Sequence, residues 1–201
     1  MITTTLKALL QHKPSVDGYN KLACRITNNK YDADCRKYVP YECDEPISLQ
    51  TILESNGLYE ALWALRACEQ TPELIRAERL YAVWCVRQVQ QHLTDQRSIA
   101  ALDVAERHAN GLATDTELET ARINAMVATR SISNDAVTVT GANAMDAAMV
   151  AAWHTAVAAV RYVAWYAARA SAWDAARAAQ KQMFIDVFCG ESINIDPFKN
   201  K

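Results

Sequence analysis

The stretch "RYVAWYAARASAWDAARAAQ", residues 161–180, restricts this chain most, and it lies within an alanine-rich run from 142 to 189. Alanine has the highest helix propensity of any residue. Glycine and proline, the residues that interrupt helices, number only five each in 201. One long Ala/Trp-rich C-terminal helix is expected there, with Gly190 as its stop. The longest apolar run, "AAMVAAW" at 147–153, is far short of the roughly 20 residues that cross a bilayer.

On a helix, Tyr162, Trp165, Tyr166, Arg169 and Trp173 fall at i, i+3, i+4, i+7 and i+11, which is a single face. Val160, Ala164, Ala167, Ser171, Ala175 and Ala178 form another stripe, thin enough for a neighbouring helix to approach closely. That neighbour can belong to this chain or to a second copy, so a homo-oligomer is one expectation. Two readings of the thick face are open. It packs inside the domain, with Trp63 and Trp84 interlocking with Trp165 and Trp173. Alternatively it is a recognition surface, because Trp, Tyr and Arg are enriched at binding hot spots. On that second reading the binding residues are Arg161, Tyr162, Trp165, Tyr166, Arg169 and Trp173. Arg161 or Arg169 would then meet phosphate if the ligand were nucleotide-like.

The rest of the chain carries helix punctuation. Thr3 to Gln11 reads as a short helix, and Ser15 caps a second with Val16, Tyr19, Leu22, Ala23 and Ile26 at helical spacing. Residues 28–46, polar and aromatic without a period, read as a long loop. Ser48 caps a helix that stops at Gly57 in the left-handed C′ conformation, and another helix follows to Cys68. Thr71, Pro72 and Glu73 start a helix that runs to about Leu93. Thr94 or Asp95 starts the next, which ends at Gly111. Thr114 and Glu117 form a capping box. "AVTVT", at 136–140, alternates like a strand but has no evident partner and is read as a join. Short connections place successive helices antiparallel. The expected fold is all-α, a helical bundle or stacked antiparallel helix pairs. Its expected parts are an N-terminal helical module with a long loop at 1–46, a helical domain at 47–190 and a tail at 191–201.

A net charge of -2 supplies no field for nucleic acid or an anionic membrane. No export signal is evident at the N-terminus, so a cytoplasmic protein is expected. Its six cysteines then read as free thiols. Cys24, Cys35 and Cys43 lack the tight knuckle of a zinc site. His12, His92, His108 and His154 are scattered, and Glu106 with His108 reads as a solvated helix end. No nucleophile elbow, phosphate loop or dinucleotide fingerprint is present. No catalytic residue, metal or cofactor is expected, and the chain is not expected to be an enzyme.

Three pieces carry a likeness: "ISLQTILESNGLYEALWALRA" at 47–67, "ALDVAERHANGLATDTELETARINA" at 101–125 and "WDAARAAQKQMF" at 173–184. In this order they resemble an immunity-protein-like, all-helical family of bacterial polymorphic toxin systems, over residues 47–189. The first 46 residues, with "DGYNKLACRIT", look like small modules of bacteriophage proteins. The resemblance implies a toxin-neutralising or counter-defence inhibitor, acting in the cytoplasm, including that of a phage-infected bacterium. Its partner would be a protein target. The alternative is a sponge that sequesters a nucleotide-derived immune signal.

Overall fold

The computed structural model describes residues 1–41, 44–88, 90, 95–132 and 173–198. Helix accounts for 66% of what it describes, in eight α-helices, and the sheet has only two strands. The all-α expectation therefore holds. The chain divides into two compact units, one of Met1–Thr71 with Phe184–Asn194, the other of Pro72–Met183 with Ile195–Lys201.

In the first unit, β1 (Thr3–Thr4) precedes α1 (Leu6–Gln11) and α2 (Val16–Thr27). Next come β2 (Ile47–Ser48), α3 (Leu49–Asn56), α4 (Leu58–Ala64) and a 3-10 turn (Leu65–Ala67). The first helix starts later than the expected Thr3. β-branched threonines are stiff and favour extended backbone, and Thr3 and Thr4 pair antiparallel with Ser48 and Ile47. The Thr4 hydroxyl donates to the Ala67 carbonyl at 2.7 Å, tying this short ladder to the 3-10 turn. Thr5, Ser15 and Ser48 each cap the helix that follows, accepting from the amides of Ala8, Gly18 and Thr51. Leu6, Leu22, Leu49, Ile52, Leu62 and Leu65 are buried here, as are Phe184, Val187 and Phe188 at the end of the last helix.

The loop at 28–46 is pinned to α2. Asn20 is buried, and its amide works in both directions. Nδ2 donates to the Lys37 carbonyl at 2.9 Å, and Oδ1 accepts from the Val39 amide at 2.9 Å. Tyr38 packs edge-on against Tyr19, and its hydroxyl donates to the Pro14 carbonyl at 2.7 Å.

Gly57 joins α3 to α4 with φ 87° and ψ 178°. The positive φ was anticipated, but ψ is extended rather than left-handed helical. That region is essentially restricted to glycine. A Cβ there would meet nothing within 4 Å, so any penalty comes from the backbone alone. Gly57→Ala is expected to cost about 1–3 kcal/mol, read by chemical denaturation. A change near zero would show that the α3–α4 join relaxes freely.

Glu60 of α4 reaches the first turn of α2, where its Oε1 accepts from the Ser15 hydroxyl at 3.3 Å. Gly18 leaves the room, since a Cβ there would stand 2.9 Å from the Glu60 carboxyl. Burial raises the Glu60 pKa above its ordinary value, the Ser15 bond opposing and Asp17 adding to the rise. A raised carboxyl favours folding at low pH, and this contribution is lost as pH climbs through the folded-state value. Glu60→Gln keeps the acceptor and removes the charge. It is expected to raise stability at pH 7 and to do nothing below the unfolded glutamate value of about 4.3. Denaturation curves at both pH values check this, and equal effects at the two would refute it.

In the second unit, α5 (Pro72–Arg87), α6 (Gln96–Ala109) and α7 (Asp115–Ile132) follow in order, and Asp196–Phe198 forms a 3-10 turn. The last helix, α8 (Trp173–Phe188), contributes its residues up to Met183. Every residue of α5 from Tyr81 to Val86 is buried, so this helix is covered on all sides there. Val83 and Val86 pack with Leu102, Ala105 and Leu118. A separate seam of Ala101, Ala121 and Ala125 lies where α6 meets α7, and its small side chains permit the close approach of two helices.

Pro72 opens α5 as expected, and the helix ends at Arg87. Of the continuation expected to about Leu93, Val89, Gln91, His92, Leu93 and Thr94 lie outside the described residues. So do Cys43, the strand-like 136–140 and the greater part of the long C-terminal helix, 142–172.

Candidate functional site

Five residues of the expected recognition face, Arg161, Tyr162, Trp165, Tyr166 and Arg169, lie outside the described residues. Trp173 is the first residue of α8, and the surroundings of its side chain are likewise outside the description. The earlier tryptophans are placed. Trp84 is buried in α5, and Trp63 is partly exposed with the Arg66 guanidinium 4.9 Å from its ring centroid.

The described site with the best-defined geometry is the hairpin of α6 and α7. Its corner is built locally. Gly111, at φ 71°, takes the left-handed position after α6. The Leu112 amide donates to the Arg107 carbonyl at 2.8 Å and the Gly111 amide to that of His108 at 3.0 Å, the paired bonds of a Schellman end. Two residues on, the expected capping box forms. The Glu117 amide donates to the Thr114 hydroxyl at 3.2 Å, and the Thr114 amide donates to the Glu117 carboxylate at 2.7 Å. Those bonds from Thr114 hold the Glu117 carboxyl below its usual pKa.

α5 braces the corner. His108 was expected near solvent, yet its side chain is only 10% exposed. Arg79 Nη1 stands 3.0 Å from His108 Nδ1, and His108 Nε2 stands 2.7 Å from Asp115 Oδ1. A guanidinium can only donate, so Nδ1 is the acceptor and Nε2 carries the proton that reaches Asp115. Burial lowers the Arg79 pKa, with Asp115 and Glu78 opposing.

Glu106 is also not merely solvated. Its Oε2 accepts from Arg87 Nε at 3.2 Å and Nη2 at 2.6 Å, and Asp103 takes Nη2 at 2.6 Å. Burial works against the Arg87 charge, but the bonds to Glu106 and Asp103 outweigh it and raise the pKa.

The outer side of this hairpin is a groove of about 500 Å³. From α6 it receives Arg97, Ala100, Ala101, Val104 and Arg107, a single helical face. From α7 it receives Thr116, Glu117, Thr120, Ala121 and Asn124. The buried Ala101 and Ala121 form its floor, and hydroxyl, amide and charged groups its rim. Arg97 and Arg107 are about 15 Å apart along the α6 axis, at about 1.5 Å per residue. Each has an acidic neighbour, Asp95 at 2.8 Å for Arg97 and Glu117 at 3.5 Å for Arg107. The sequence reading missed this groove. Its signal was Arg97, Ala100, Val104 and Arg107 at i, i+3, i+7 and i+10, a face too short of large apolar residues to be core.

Among the described residues, no group of three His, Cys, Asp or Glu side chains can hold a metal ion. Among the described residues, Cys24, Cys35, Cys68, Cys85 and Cys189 form no disulfide with one another. Burial raises the Cys189 pKa to about 11, with Glu54 adding to it, and burial raises Cys85 further. Among the same residues, no helix is long and apolar enough to cross a membrane.

Comparison with family models, with curated proteins and with solved structures finds no match to this chain.

Proposed function

We propose that this protein is a non-enzymatic binding protein that neutralises a toxin or a host defence component by occupying its surface in the cytoplasm. The observation that supports this reading is the α6–α7 groove. It has a floor of small side chains, a polar rim and walls joined by a corner whose terminal amides and carbonyls are satisfied locally. Such a groove accommodates an apolar element of a partner, while the rim sets its register. Recognition needs no reactive group, only a face that excludes water. The immunity-like pieces span the same hairpin, because 101–125 covers most of α6 and the first half of α7.

The test is rescue of bacterial growth when the chain is co-expressed with a panel of toxins and defence effectors. Rescue is expected at stoichiometric expression. Ala100→Trp, a substitution on an exposed position of the groove, is expected to abolish it without unfolding the chain. If Ala100→Trp rescues fully while Trp165→Ala or Arg169→Ala fails, the recognition surface is the aromatic face instead. Absence of rescue across the panel counts against an inhibitory role altogether.

A further inference from the structure

A second cavity in the Pro72–Met183 unit, of about 310 Å³, lies beside α5. Its apolar lining is Leu80, Val83, Trp84 and Phe198, and its polar lining is Arg87, Gln88 and Glu106. Two aromatic rings in so small a space favour a flat guest. Phe198 is set in place by the C-terminal 3-10 turn, where its amide donates to the Ile195 carbonyl at 3.1 Å.

The polar side is pre-oriented. Both bonds that Glu106 takes from Arg87 fall on Oε2, and among the described residues Oε1 accepts nothing. Gln88 donates through Nε2 to the Trp84 carbonyl at 3.4 Å, which leaves its Oε1 to accept. The cavity therefore offers oxygen acceptors on Glu106 and Gln88. Arg87 is engaged by Glu106, by Asp103 and by Gln90 Oε1 at 2.7 Å. An anionic guest would meet the Glu106 carboxylate beside an Arg87 that already gives four of its five N–H groups to Glu106, Asp103 and Gln90. The volume is at the lower end of the range for ligand sites, roughly 300–1,000 Å³, which suits one fused ring system and not a dinucleotide.

We propose that this cavity binds a neutral, flat heteroaromatic ring presenting an N–H edge, of which guanine is the representative. The ring would lie against Trp84 and Phe198, and its N–H groups would donate to Glu106 Oε1 and Gln88 Oε1. This inference is independent of the α6–α7 groove and stands or falls without it.

The test uses the full chain, labelled with nitrogen-15 and titrated with guanosine to about 2 mM, which covers the millimolar affinity expected of a small ring. The Trp84 indole N–H resonance, assigned by its loss in Trp84→Phe, is expected to shift saturably. Phe198 is only partly buried, so Phe198→Ala is expected to weaken binding about tenfold while leaving the melting temperature unchanged. Glu106→Gln is expected to weaken it similarly. A flat titration overturns the proposal, and so does undiminished affinity in both variants. Tighter binding of guanosine monophosphate than of guanosine overturns the assignment to a neutral ring.

Discussion

Replacing Phe184 by alanine is expected to lower the stability of the chain by about 3–5 kcal/mol, the range for truncating a buried aromatic. Phe184 is fully buried, and its ring lies 5.1 Å from that of Phe188, also fully buried, one helical turn further along α8. Truncation removes both the transfer gain and the ring contact, and the rigid surroundings collapse only partly into the space left. The measurement is urea unfolding of both proteins, read as a fall in midpoint at unchanged slope. A loss below about 1 kcal/mol would mean that α8 contributes little to the core of the Met1–Thr71 unit, against the burial seen. Phe184→Leu, which keeps most of the volume, is expected to recover more than half of the loss.

Asn20→Ala is the second large effect. The substitution leaves the Lys37 carbonyl and the Val39 amide without the partner that the Asn20 side chain supplies to each. The Asn20 side chain is buried, whereas the two backbone groups it serves are only part-buried, so a loss of about 1–3 kcal/mol in all is expected. Asn20→Asp separates geometry from chemistry. It can still accept from Val39, but it sets a carboxylate against the Lys37 carbonyl in a buried position. It is therefore expected to be no better than alanine. Hydrogen exchange gives the local reading, in which the Val39 amide loses protection while amides within α2 keep theirs. If Val39 stays protected in Asn20→Ala, the loop is held by Tyr38 and its neighbours instead.

Much of the helix punctuation was legible because it depends on neighbours in sequence. Thr114 with Glu117, Pro72, Asp95, Ser48 and Gly111 all act where their residue type said they would. Long-range partners were not legible. Thr3 and Thr4 read as helix because the strand that pairs with them lies more than forty residues away, at Ile47 and Ser48. His108 and Glu106 read as solvated because nothing local reveals Arg79 and Arg87 on another helix. The α6–α7 groove was invisible for a related reason. A concave surface is a property of two helices together, and its alanines have no signature of their own. The aromatic face at 161–173 was conspicuous through its bulky side chains, whereas the groove is defined by small ones.

The corner between α6 and α7 has a consequence for selectivity. Its turn is closed by bonds within a few residues, and the Arg79–His108–Asp115 chain buttresses it from α5. If the groove is the binding surface proposed above, walls tied at this corner resist spreading for a thicker guest or drawing in around a thinner one. Discrimination would then be steric, with a threshold set by the width of an alanine floor, and affinity would fall sharply once a ligand side chain exceeds it.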